Sequence, residues 1–287
     1  MLGSVSRLQI VVLTALAMLA FAGNSLLCRL ALRNTPIDAA SFTSVRLVAA
    51  AITLWLLLRL SGKTTSGLGN WPSALALFAY AAGFSFAYIN LSAATGALLL
   101  FGAVQTTMIG FGIWQGERLR ITQVSGLVLA LAGLVGLVLP GLSAPPPINS
   151  VLMIAAGIAW GIYSLRGRGA GDPTKATAGN FLRTVPITIA LSLVMFSHMS
   201  LDRAGIFYAI TSGAVTSGIG YAIWYKALPA LKATQAATVQ LSVPAIAAVG
   251  GIILLGEPVT LRLVLASIAI LSGIALVIFE KNKASAG

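Results

Sequence analysis

The stretch "GERLRITQVSGLVLALAGLVGLV", residues 116–138, matches "GEPVTLRLVLASIAILSGIALVI", residues 256–278, without a gap. The register pairs Gly116 with Gly256, Glu117 with Glu257 and Gly133 with Gly273, at an offset of 140 residues. Self-similarity at a fixed offset marks a repeated structural unit. Weaker matches run in the same order: "SVR" ending at Arg46 recurs as "FLR" ending at Arg183, and "AATGA" (93–97) recurs as "KATQA" (232–236). A Pro-rich break, "PGLSAPPPIN" at 140–149, separates the two copies, so residues 1–140 and 141–287 are read as two related units.

Composition says what each unit contains. The chain is 58% hydrophobic and 8% charged, with a mean hydropathy of +0.96, whereas soluble domains carry about 25% charged residues. This is the composition of an all-α polytopic membrane protein. A spanning helix needs roughly 20 apolar residues. Leu8–Cys28 supplies one, and 64–116 supplies two with a turn near "SAATG". The run 121–165 supplies two more, split by the Pro-rich break, and 204–225, 233–256 and 263–279 one each. Segments 39–58 and 176–199 add two that each hold an internal arginine, Arg46 and Arg183, giving ten. "AFAG" at 20–23 could pass for a signal-peptide cleavage site, but the long apolar run and the embedded remainder favour a retained helix.

Five helices per unit is an odd number. The second copy therefore enters the membrane upside down relative to the first, the inverted-repeat architecture of many secondary transporters. The net charge of +12 fits that topology. With both termini cytoplasmic, 12 of the 18 Lys and Arg residues fall on the cytoplasmic side. Arg29, Arg33, Arg203 and Arg262 fall opposite. This is the positive-inside bias, so the basicity reports orientation and contact with membrane lipid and not a nucleic-acid partner.

Five plus five helices, a Gly-Glu turn between the fourth and fifth helix of each half, and Pro244 twelve residues before Gly256 resemble the EamA-type branch of the drug/metabolite transporter (DMT) superfamily over the whole chain. Val104 stands where that family often has proline, so the two copies need not bend alike. Within the superfamily, the aromatic-rich third, sixth and eighth helices are similar to bacterial exporters of aromatic amino acids (YddG-like). The resemblance implies a ten-helix inner-membrane exporter of amino acids; other branches export purines, other metabolites or drugs.

Candidate binding residues follow from spacing and depth. Tyr80, Phe84 and Tyr88 stand at i, i+4 and i+8 and form one stripe. Trp160 and Tyr163, then Tyr221, Trp224 and Tyr225, give two further aromatic faces. The alternative reading for such residues is packing or interfacial belts, and it is preferred for Tyr225 and Trp114. Aromatic faces in a cavity would suit neutral, partly apolar molecules and would accept an ammonium group. The amides closest to mid-span are Asn24 and Gln105, read either as cavity groups or as links between helices. Arg46 lies about 10 Å along its helix; it either snorkels or meets a substrate carboxylate. Arg183 is assigned to snorkelling.

Several classes of chemistry lack their residues. One cysteine, Cys28, and one histidine, His198, leave no Cys/His cluster for a metal, and no cofactor is expected. All six acidic residues fall in loops or at span ends, so no intramembrane carboxylate is available for proton coupling. The expectation is facilitated or exchange transport by a monomer rather than catalysis. Glu117 and Glu257, on opposite faces after inversion, are read as architectural. Glycine permits the turn, the carboxylate meets the positive end of the following helix, and Pro258 fits that helix's first turn.

Overall fold

Short polar residues just ahead of several apolar runs decide where those helices begin, because their side chains satisfy the first free backbone N–H groups. The computed structural model describes residues 7–62, 69–116, 119–141, 144–167, 172–231 and 239–285. Within them run α1 (Arg7–Asn34), α2 (Ala39–Leu60), α3 (Trp71–Tyr88), α4 (Ala93–Trp114) and α5 (Ile121–Val138). After the Pro-rich break come α6 (Pro147–Arg166), α7 (Pro173–Val194), α8 (Arg203–Ala227), α9 (Ser242–Leu255) and α10 (Leu261–Ser285). Asp38, Asn70, Ser92, Asp172 and Asp202 cap α2, α3, α4, α7 and α8. There are no strands among the described residues.

Seven of these helices, α1, α2 and α4–α8, are long and apolar enough to cross a membrane. Large apolar side chains such as Leu19, Val128, Leu193, Phe207 and Ile253 point outward. An aqueous surface would penalise that distribution, whereas lipid satisfies it. Inside, small residues let backbones approach where lipid tails provide no competing advantage. α5 and α10 lie along each other, and a methyl group added at Gly126 would stand 2.6 Å from the Gly273 carbonyl oxygen. Gln123 fixes the same pair, donating from Nε2 to the Val277 carbonyl across 3.3 Å. α6 packs on α3 and α4, α2 on α7 and α8, and α1 on α8 and α9.

The sequence expectations hold for element order and fail at several ends. α1 continues to Asn34, so Arg29 and Arg33 lie on its last two turns and not beyond it. Gly116 (φ 91°) and Gly256 (φ 61°) both adopt the left-handed backbone expected of the turn glycines. Pro258, however, precedes α10 instead of opening it; Thr260 caps that helix, its Oγ1 accepting from the Leu263 N–H at 3.1 Å. Pro244 lies in the first turn of α9, where a missing N–H costs no helical bond. Glu117, Arg118, Lys232 and Gln235 fall outside the described residues.

Candidate substrate-binding site

Midway along α8 the backbone becomes π-helical, from Ser212 to Ile219. Such wider turns are rare and concentrate at functional sites. Gly213 lets this segment press against α2: any side chain there would collide with the Arg46 carbonyl oxygen. The π-helical turn also directs two hydroxyls to one acceptor. Ser212 donates to Asn24 Oδ1 at 2.7 Å, and Thr216 donates to the same atom at 3.3 Å. Asn24 Nδ2 donates to the Tyr80 hydroxyl at 3.2 Å, and Arg46 Nη2 donates to that hydroxyl at 3.2 Å. One polar chain thus links α8, α1, α3 and α2 in the apolar interior, where unpaired polar atoms are costly.

Aromatic rings close around this chain. Tyr80 lies 5.4 Å from Phe84 and 4.8 Å from Trp160, ring centre to ring centre. Trp160 meets Tyr221 edge-on at 5.3 Å, and Phe21 meets Tyr221 at 5.6 Å. Between them is a cavity of about 30 Å³ lined by Phe21, Asn24, Tyr80, Phe84, Trp160 and Tyr221, with Ser25, Leu100, Phe101, Thr216 and Gln240 completing the wall. That space admits water but not an amino acid, so a bound substrate requires this cage to open.

Of the sequence candidates, Asn24, Tyr80, Phe84, Trp160 and Tyr221 meet at the cavity. Arg46 stands directly behind it, its guanidinium 4.9 Å from the Phe84 ring centre and 5.5 Å from that of Tyr80. It is 2% exposed, so it does not snorkel. Tyr88 belongs elsewhere. Its stripe continues past the cavity, and its hydroxyl donates to the Ala93 carbonyl at 3.3 Å, bracing the turn between α3 and α4. Tyr163 forms an outer layer, stacked on Trp160 at 5.3 Å and donating to Thr177 Oγ1. Gln105 is buried on α4 away from the cavity wall. Sequence reasoning missed Phe21, Ser212 and Thr216. Phe21 and Asn24 share the i, i+3 spacing, and Ser212 and Thr216 the i, i+4 spacing, that places two side chains on one face.

The Gly-Glu turn is more than a helix start. Glu257 is buried, receives Arg29 Nε on Oε1 at 3.1 Å, and accepts the Ala93 N–H on Oε2 at 2.8 Å. Its carboxylate therefore caps α4, 164 residues away in sequence, and not the helix that follows it. Arg29 Nη1 also donates to the Tyr88 and Ile89 carbonyls, and Arg33 Nη1 to that of Leu255. At the opposite face, Arg166 donates to Ser73 Oγ and Asn70 Oδ1, and the Asn70 N–H to Asn180 Oδ1. Both ends of the bundle are thus tied by contacts between the two sequence halves.

Residues 148–279 match the model of the EamA-like transporter family. An uncharacterized protein of Pseudomonas aeruginosa is 55% identical over 267 residues, covering 93% of each chain. The chain belongs to the EamA-like transporter family. A second relative, an uncharacterized transporter of Archaeoglobus fulgidus, is 25% identical over 81% of this chain and 86% of its own length. A solved crystal structure superposes with a TM-score of 0.67 at 17% identity, over 97% of this chain and 99% of that one, which carries the likeness of fold. The EamA-like assignment makes the protein a transporter of the DMT superfamily, with a small-molecule substrate and a lipid environment. Among the described residues no group of His, Cys, Asp or Glu could hold a metal ion.

Proposed function

We propose that the protein exports amino acids, aromatic and other neutral ones, across the bacterial cytoplasmic membrane by alternating access. The observation that carries this reading is the cage of Tyr80, Phe84, Trp160 and Tyr221 around the Asn24 amide, drawn from both halves of the chain. Flat rings stack on flat side chains and accept an ammonium group on their faces. The amide and hydroxyls supply a few fixed polar contacts, as small-molecule sites do. Residues 1–140 and 141–287 act as inverted repeats that rock about this cage, with both termini cytoplasmic. The cross-half ties at Glu257 and at Arg166 open in alternation. All acidic side chains with a described position cap helices or pair with Arg29, so the reading is facilitated or exchange transport by a monomer without a proton-carrying carboxylate.

A counterflow screen in proteoliposomes over the common amino acids and purines tests this. Preloaded phenylalanine or leucine should accelerate entry of the labelled compound, and Trp160→Ala or Tyr221→Ala should cut that rate at least tenfold. Counterflow confined to purines or nucleosides would replace the amino-acid reading with another branch of the superfamily.

A further inference from the structure

We infer that Arg46 is the anchor for an anionic group on the transported molecule, a carboxylate if the amino-acid reading above, on which this rests, is correct. Arg46 is 2% exposed and, among the described residues, its guanidinium has one hydrogen bond, from Nη2 to the Tyr80 hydroxyl at 3.2 Å. Its Nε and Nη1 have no acceptor among the described residues. The Tyr80 hydroxyl already accepts from both Arg46 and Asn24. Donors therefore converge on this point, and acceptors are lacking.

Among the described residues no carboxylate is placed to answer the charge. Asp38, Asp172 and Asp202 cap α2, α7 and α8, and Glu257 is held by Arg29 and the Ala93 N–H. Glu117 and the Glu280 side chain lie outside the described residues, at sequence positions that flank spans. The Phe84 and Tyr80 rings stabilise the cation through their faces but accept no N–H in the plane of the guanidinium. A buried charge without a hydrogen-bonded partner is strongly unfavourable. Its backbone cannot retreat either, because Gly213 of the π-helical segment presses on the Arg46 carbonyl. Such a cation is kept where a counter-charge arrives with the ligand.

Arg46 lies behind Tyr80 and Phe84, and the cavity they line is too small for a substrate. The opening that admits a substrate moves those two rings, and moving Tyr80 exposes the guanidinium. A carboxylate then replaces the tyrosine hydroxyl as acceptor and pairs with two N–H groups in the fork geometry that arginine favours. The ligand class this selects is a zwitterion or monoanion with a flat apolar body. Amines, amides and neutral purines lack the matching group.

Calorimetric titration of the purified full chain with L-phenylalanine, L-phenylalaninamide and 3-phenylpropionate tests the anchor. The expected result is that the acids bind and the amide binds about 30-fold more weakly or worse. Arg46→Gln should abolish that preference and Arg46→Lys restore part of it; the comparison on the unaltered protein stands even where a variant fails to fold. Binding of 3-phenylpropionate without phenylalanine would retain the anchor and remove the amino-acid reading. Equal binding of amide and acid, a preference that survives in Arg46→Gln, or no binding of either acid would overturn the anchor.

Discussion

Glu257→Ala should destabilise the protein by about 3 kcal/mol. The carboxylate makes two charge-assisted contacts in a site where it is 5% and Arg29 13% exposed: Arg29 Nε at 3.1 Å and the Ala93 N–H at 2.8 Å. Hydrogen bonds to charged groups contribute roughly 1.5–3 kcal/mol each. The lower half of their sum applies, because Arg29 keeps the Tyr88 and Ile89 carbonyls and is not stranded. Glu257→Gln preserves an acceptor for Ala93 and loses the ion pair, for about half that cost. At roughly 2 °C per kcal/mol for a chain of this size, Glu257→Ala should lower the apparent unfolding temperature in detergent by about 6 °C. A double-mutant cycle with Arg29→Ala should return a coupling of about 1–2 kcal/mol. Unchanged unfolding of Glu257→Ala, or additive single variants, would refute the assignment of this carboxylate as a cross-half tie.

Gly213→Leu should abolish both folding yield and transport, since a side chain there meets the Arg46 carbonyl; wild-type expression and monodispersity would contradict the contact. The connection before α2 carries a pH dependence. Burial raises the pKa of Asp38, but N–H groups of Ser200, Ser41 and Ala40 hold the ionised form, and the balance lies below the usual carboxylate value. Its folded value is depressed, so its contribution is present above the unfolded pKa of about 3.9 and is lost as pH falls through the lower folded value. Asp38→Asn should therefore be less stable than wild type at pH 6, with the difference shrinking below pH 4; a constant difference would count against this link.

The fold was legible because lipid imposes a simple rule. Helix count, order and the Gly-Glu repeat come from charge-free length and self-similarity, and neither requires knowledge of tertiary contacts. Gly116 and Gly256 were readable as turn glycines for the same local reason, and both have positive φ. Glu257 was misread because a carboxylate after a glycine satisfies the nearest helix start in any local account. Its partners, Ala93 and Arg29, are 164 and 228 residues away, and only packing brings them in. At the site, helical spacing located Tyr80, Phe84, Trp160 and Tyr221, yet the same spacing carried Tyr88 past the cavity and Tyr163 behind Trp160. Periodicity fixes a helix face but not the depth at which a cavity interrupts it. The π-helical segment was invisible in "SGAVTSGI", whose small residues suit several helical windings.

In the function proposed above, this cage serves an alternating-access carrier of amino acids. Uptake of labelled L-phenylalanine into proteoliposomes, compared between vesicles preloaded with unlabelled phenylalanine and empty vesicles, tests it most directly. A preloaded rate at least several-fold above the empty one, abolished by Tyr221→Ala, is the predicted result. Equal rates in the two vesicle populations, or no protein-dependent uptake, would contradict it.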